Sequence, residues 1–133
     1  MPYTVIDHTA DIGIRITGVD IKNLFLEAGR AMVAEIGADT TSVEKNIIID
    51  FIGYDYEDLL VVFLNGLLYE IQTRNFRVSG LNITSLNETN IRAVVKGTVS
   101  SAPLKKNIKA ATYHNLAIIK LVNEYETTII FDV

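Results

Sequence analysis

The sequence contains no cysteine and only two prolines. The absence of cysteine excludes disulfide bonds, thiolate zinc sites and cysteine nucleophiles, so any metal ion must be held by oxygen atoms or by histidine. Hydrophobic residues make up 49% of the chain and charged residues 21%, a balance typical of a folded domain. We therefore expect residues 1–133 to form one domain with a single core.

Long apolar runs and clusters of positive charge are also missing. No apolar run approaches the ~20 residues that a membrane helix requires. The first residues lack the basic region and apolar stretch of a signal peptide. These absences predict a cytoplasmic protein that does not contact a membrane. The net charge is −4 and Lys105-Lys106 is the only basic pair, so we do not expect direct, tight binding to nucleic acid.

The spacing of the apolar residues changes along the chain, and each change predicts the boundary of an element. Alternation predicts a strand over residues 12–18. Spacing of three and four residues predicts a helix from Asp20, its N-cap, to Gly37, which follows its last turn. A second helix begins after Asp55 and ends near Arg74. Further strands are predicted over residues 46–51, 76–83, 89–99, 108–122 and 125–133.

This order of elements predicts the fold class. Two helices and five to seven strands, mostly in consecutive hairpin-like order, predict an α+β domain with both helices on one side of a mostly antiparallel sheet. The β–α–β–α order of the first half leaves a mixed sheet as the alternative. Asn123-Glu124 predicts a tight hairpin between the last two strands.

The first candidate for a functional site is Asp7-His8-Thr9-Ala10-Asp11, which places two carboxylates and one of the two histidines within five residues. An oxygen-rich corner of this kind suits a hard cation such as Ca²⁺ or Mg²⁺. The alternative is a turn whose side chains only bond nearby backbone amides. The residues alone leave both interpretations open.

The second candidate is the end of the sequence, where an apolar strand finishes in Asp132 and Val133. A terminal aspartate is usually solvated and inert. Asp11, Asp132 and the terminal carboxylate or carbonyl of Val133 would nevertheless form the all-oxygen ligand set that a hard cation takes. A metal site therefore requires the first and last segments to meet.

The third candidate is residues 108–114, where Lys109, Thr112, Tyr113 and His114 lie in an otherwise apolar stretch. One interpretation is a strand edge with Lys109 and His114 in solvent. The other places Lys109 beside the carboxylates as a counter-charge, or against a phosphate.

Several blocks of the sequence, in order along nearly the whole chain, resemble the archease family. They are Tyr3-x-x-x-Asp7-His8-Thr9-Ala10-Asp11-Ile12-Gly13, Leu24-Phe25-x-x-Ala28, Asp58-Leu59-Leu60-Val61-x-Phe63-Leu64-Asn65, Lys109-Ala110-x-Thr112-Tyr113-His114 and Phe131-Asp132-Val133. The resemblance implies a small metal-binding activator of the RtcB-type RNA-splicing ligase, which joins tRNA halves and repairs RNA ends. Archeases are not ligases themselves. They are understood to promote guanylylation of the ligase and its multiple turnover.

The resemblance also implies roles for individual residues. Carried over by position, the metal ligands are Asp11, Asp132 and Val133, and the implied ion is Ca²⁺, with Mg²⁺ or Mn²⁺ as alternatives. Lys109 is a candidate for an essential residue. Further candidates for contacting or activating the ligase are Asp7, His8 and His114. RNA would be reached only indirectly, through the ligase.

One position departs from the family pattern. After Val94-Val95-Lys96-Gly97 many relatives have glutamate, and this chain has Thr98.

Two other classes of function stay open. A small metal-dependent hydrolase or phosphotransferase is disfavoured because no nucleophile motif or glycine-rich phosphate loop is present. An RNA-chaperone-like binding module is disfavoured because there is no basic stripe.

Overall fold

The computed structural model describes residues 3–7 and 11–133, which form two helices and eight strands. In chain order these are β1 (Tyr3–Asp7), β2 (Asp11–Gly18), α1 (Ile21–Ile36), β3 (Lys45–Ile52), α2 (Tyr56–Thr73), β4 (Phe76–Leu86), β5 (Asn90–Val99), β6 (Ala110–Ala111), β7 (Ile119–Lys120) and β8 (Tyr125–Asp132). No helix within this described part is long and apolar enough to cross a membrane.

The strands of the described residues divide into two sheets. The larger sheet has the order β1-β2-β8-β6, and β7 also pairs with β8. The smaller sheet has the order β3-β5-β4. All pairings between these strands are antiparallel, and a single isolated bridge, Asp39 with Val78, is parallel. The α+β class with antiparallel pairing is therefore confirmed, although the strands form two sheets where one was expected.

Local capping chemistry fixes the ends of both helices. The Asp20 side chain accepts a hydrogen bond from the Asn23 amide at 2.7 Å and begins α1. Gly37 ends α1 with a φ of 71°, a left-handed conformation that glycine adopts without steric cost. The Asp55 side chain accepts from the Asp58 amide at 2.8 Å and begins α2. The predicted helix boundaries are confirmed.

The core is built from the apolar faces of the helices and the inner faces of the sheets. Both helices contact both sheets, so the two sheets pack against the same pair of helices. The rings of Phe25 on α1 and Phe63 on α2 lie 6.2 Å apart between centroids and are fully buried. Ile129 and Phe131 bring β8 into the same core.

The long strand predicted over residues 108–122 is wrong. Only β6 and β7, of two residues each, pair as strands within it. Between them the Leu116 amide donates to the Tyr113 carbonyl and Asn115 adopts a φ of 51°, so the chain turns. The predicted hairpin that follows is confirmed, because Lys120 pairs with Tyr125 across the turn. Strand β1 was not predicted.

Candidate metal and partner site

The register of β2 and β8 places Asp11 directly opposite Asp132. Residues that oppose each other in an antiparallel pair project from the same face, with Cβ atoms about 4.5–5.5 Å apart. Asp11 is partly buried and Asp132 is exposed. Two carboxylates from opposite ends of the sequence are therefore neighbours at one end of the larger sheet. We call them the carboxylate pair.

Buried residues beneath the carboxylate pair fix this register. Ile12 lies opposite Phe131 and Ile14 lies opposite Ile129, on the inner face of the sheet. Ile14, Ile129 and Phe131 are fully buried. A slip of one residue would turn these side chains to solvent, so burial of the inner face keeps the carboxylate pair on the outer face.

Lys109 and Val133 lie next to the carboxylate pair. The Lys109 amide donates to the Asp132 carbonyl at 2.8 Å, and Ala110 lies opposite Asp132. Val133 follows Asp132 and is 42% exposed. The Lys109 side chain is exposed and lines a cavity of about 240 Å³ together with Asn65 and Gln72. Within the described part of the chain, no ion pair joins Lys109 to Asp132.

The donors at this corner fit a hard divalent cation. Asp11 and Asp132 offer carboxylate oxygens from one face of neighbouring strands, which is the ligand type that Ca²⁺, Mg²⁺ and Mn²⁺ take. Among residues 3–7 and 11–133, no group of three or more histidine or acidic side chains could hold a metal ion. A cation held by Asp11 and Asp132 would take its other ligands from backbone oxygens, water or a partner.

The other predicted residues are accounted for as follows. Asp7 is opposite Ile12 in the β1–β2 pair, but its side chain and all of His8 lie outside the described residues. His114 is exposed, and its ring Nε2 lies 3.4 Å from the Asn115 side-chain nitrogen. Tyr113, which precedes His114, hydrogen-bonds the first turn of α2. His114 is five residues along the chain from Lys109.

Sequence reasoning missed a polar row on α2. Asp58, Asn65 and Gln72 each hydrogen-bond residues 108–113, and their seven-residue spacing on α2 was the signal available. The Tyr113 hydroxyl donates to Asp58 at 2.5 Å. This bond, followed by that from the Tyr54 amide, lowers the pKa of the Asp58 carboxyl. The same bond, with partial burial and nearby negative charge, raises the pKa of the Tyr113 phenol.

Thr98 lies in the smaller sheet, away from the strands that carry the carboxylate pair. It is buried, 8% exposed, and lies opposite Arg77 in the β4–β5 pair. The Arg77 guanidinium donates to the carbonyls of Ile71, Phe76 and Ala102. Its Nε is buried and has no hydrogen-bond partner among the described residues. An acid at position 98 would therefore face Arg77.

Comparisons with known proteins show which family the chain is similar to. The archease protein family matches residues 3–133. The archease of Methanosarcina barkeri is 34% identical, covering 98% of this chain and 95% of that protein. An archease-like protein of Drosophila melanogaster is 33% identical, covering 100% of this chain and 91% of the relative.

Two solved structures share the fold. The solution structure of Methanobacterium thermoautotrophicum protein 1598 has a TM-score of 0.80 at 20% identity and covers 99% of both chains. The crystal structure of a Thermotoga maritima protein, described as an archease and possible chaperone, has a TM-score of 0.70 at 23% identity and covers 96% of this chain and 94% of the other. With the family match over residues 3–133, the chain belongs to the archease family.

Proposed function

We propose that this protein is a metal-binding accessory protein that activates an RtcB-type RNA ligase, promoting its guanylylation and multiple turnover. The observation that carries the proposal is the register that sets Asp11 opposite Asp132. Family membership suggests the partner, and the carboxylate pair suggests the means by which the protein acts on it.

The chemistry of ligase activation gives the carboxylate pair a purpose. A divalent cation supplies positive charge where a nucleotide triphosphate and a phosphorylated RNA end bring negative charge together. Asp11 and Asp132 would each hold it through a carboxylate, and Val133 through a backbone oxygen. The Lys109 backbone is bonded to that of Asp132, and its exposed side chain leaves the same end of the sheet on the side of α2, where it would supply positive charge to the partner.

The openness of the corner suits an accessory role. Asp132 and Val133 are both exposed at the end of the sheet, so a cation held there can be reached by a large partner. Two or three protein ligands leave coordination positions free, because Ca²⁺ takes six to eight oxygens and Mg²⁺ takes six. Groups of the ligase or its bound nucleotide could complete the shell. The net charge of −4 favours contact with RNA through the ligase rather than directly.

Ligation by the cognate ligase with GTP tests the proposal. We expect catalytic amounts of this protein to raise the multiple-turnover rate, and Asp11→Ala and Asp132→Ala to lose most of that increase. Asp50→Ala is the matched control, because Asp50 is an exposed strand aspartate in the smaller sheet, paired with Arg92. Unchanged ligation with the parent protein, or full activation by both variants at the carboxylate pair, would refute the proposal.

Metal binding has a test that does not depend on the ligase. A cation at a hundredfold excess over its dissociation constant should stabilise the folded protein by about 2.7 kcal/mol, or roughly 10 °C in Tm for a chain of this size. We expect this shift with Ca²⁺, Mg²⁺ or Mn²⁺ and its reversal by a chelator. Asp132→Asn should abolish the shift and Asp50→Asn should keep it. Equal shifts in both variants would place the ion elsewhere.

A further inference from the structure

Helix α2 carries three polar residues, Asp58, Asn65 and Gln72, at seven-residue spacing. Seven residues are close to two helical turns, so the three side chains share one face of the helix. The other residues of this helix include a broad apolar face that is buried in the core. The polar row hydrogen-bonds one neighbouring segment, while Glu57 separately accepts a hydrogen bond from the Ile118 amide.

That neighbour is residues 108–113, which we call the lysine segment because it contains Lys109. The Tyr113 hydroxyl donates to Asp58, the Asn65 side chain makes two bonds with Ala111, and the Gln72 amide donates to the Ile108 carbonyl. The order is reversed, so the lysine segment runs antiparallel to the helix. Fourteen helical residues span about 21 Å and five extended residues about 17 Å, so the two lengths differ by only about 4 Å.

Asn65 is the central contact of the row. Ala111 is only 4% exposed. Its amide donates to Asn65 Oδ1 at 2.8 Å, and its carbonyl accepts from Asn65 Nδ2 at 3.1 Å. A carboxamide both donates and accepts as a peptide group does. Asn65 thus replaces the neighbouring strand that Ala111 lacks on this side, and without it two buried backbone groups would lose their partners.

The opposite side of the lysine segment is held by β8. The Lys109 amide donates to the Asp132 carbonyl at 2.8 Å, and the Thr112 amide donates to the Ile130 carbonyl at 3.0 Å. Lys109 is therefore two residues from the Asn65 contact and directly bonded to the backbone of the carboxylate pair. The backbone between the Lys109–Asp132 bond and the Asn65–Ala111 contact sets the direction in which the lysine side chain leaves the sheet.

We propose that Asn65 is a positioning residue for Lys109: its carboxamide locks the lysine segment between α2 and β8, so that the Lys109 side chain leaves the sheet on the side of Asn65 and Gln72, at the strand end that carries the carboxylate pair. This inference rests on the proposed function, in which Lys109 takes part in activation. It assigns Asn65 no contact with the ligase, its nucleotide or the cation.

The test compares Asn65→Ala and Asn65→Asp with Asp20→Ala. The aspartate substitution keeps the acceptor for the Ala111 amide but sets a carboxylate oxygen against the Ala111 carbonyl, so it should activate no better than Asn65→Ala. Asp20→Ala is the matched control, because it removes a helix N-cap on α1 and lowers stability without touching the lysine segment. Stimulation of ligation is measured against activator concentration for each protein.

We expect Asn65→Ala to lower the maximal stimulated rate by about tenfold or more and to change the half-maximal concentration by less than about threefold, as expected for misplacement of a group that acts in activation and not in docking. Asp20→Ala should keep the parent's maximal rate. Adding Asn65→Ala to Lys109→Ala should cause no further loss, since both changes remove the same contribution. Hydrogen exchange at the amides of residues 109–112 should accelerate in Asn65→Ala only.

The outcomes separate the two proposals. If the parent protein does not stimulate the ligase, the proposed function fails and this inference fails with it. If the parent stimulates and Asn65→Ala stimulates equally, only the positioning role of Asn65 is overturned. It is also overturned if Asp20→Ala loses as much activity as Asn65→Ala, or if the effects of Asn65→Ala and Lys109→Ala multiply.

Discussion

Arg77 and Thr98 lead to the prediction that Thr98→Glu is more stable than Thr98→Gln. The Arg77 side chain is 5% exposed and donates to three carbonyls, while its Nε has no partner in the described part of the chain. Among these residues no carboxylate forms an ion pair with it. Thr98 lies opposite Arg77 and is the nearest position on the adjacent strand from which a carboxylate could reach it.

The magnitude follows from two opposing effects. Opposite unit charges 4 Å apart attract by about 4 kcal/mol at an effective dielectric constant of 20. Burying the new carboxylate costs several kcal/mol, which offsets much of this gain. The Arg77 charge is already buried, so its desolvation adds no new cost. We expect a net advantage of about 1–2 kcal/mol over Thr98→Gln, or roughly 4–7 °C in Tm.

The glutamine variant is the control because it has nearly the same size and strains the packing equally. Urea unfolding followed by circular dichroism gives the free energy of unfolding of both variants. An arginine partner lowers the folded-state pKa of the introduced carboxyl below its unfolded value of about 4.3. The advantage should therefore be complete above about pH 5 and disappear as the pH falls below that value. Equal stability at pH 7, or an advantage unchanged at pH 3, would refute the reasoning.

Two further substitutions test other contacts. Gly97→Ala should lower the free energy of unfolding by about 3 kcal/mol or more, because the new Cβ would lie 1.8 Å from the Arg77 carbonyl oxygen. Gly80→Ala should change it by less than about 0.5 kcal/mol, because the nearest atom to that Cβ is 3.8 Å away. Urea unfolding measures both. Similar losses in both would contradict this steric argument. Tyr113→Phe should be less stable than the parent near neutral pH, and the difference should shrink as acid protonates Asp58, whose pKa is lowered, and as alkali ionises Tyr113, whose pKa is raised. Urea midpoints between pH 3 and 11 measure this, and a constant difference would show that the hydroxyl bond contributes nothing.

The helix ends could be predicted because capping is local chemistry. Asp20 and Gly37 act through atoms within four residues of themselves, so their effect is legible in the sequence. The division into two sheets could not be predicted, because apolar alternation identifies a strand but not its partner. Residues 108–122 were misread for a related reason. Their apolar pattern reflects packing beside α2, whose Asn65 supplies hydrogen bonds that periodicity attributes to a strand.

The candidate site was partly legible in the same way. The residues alone indicated that Asp11 and Asp132 could form an oxygen-rich corner, and the structure does bring these two together. Their role as metal ligands stays a prediction, as do those of Asp7, His8 and His114. The positioning of Lys109 could not be inferred from the sequence, because it depends on the reversed course of the lysine segment along α2.

The pairing of β2 with β8 has a consequence for folding kinetics. Asp11 and Asp132 are about 120 positions apart, so bringing them together costs a large chain entropy. The chain loses this entropy before the contacts between β2 and β8 form and offset it. The smaller sheet joins strands that are closer in sequence and can form earlier. We expect a cation bound by the carboxylate pair to stabilise the pairing of β2 with β8 once it has formed. It should slow the unfolding step in which β8 separates and so protect the chain from proteolysis.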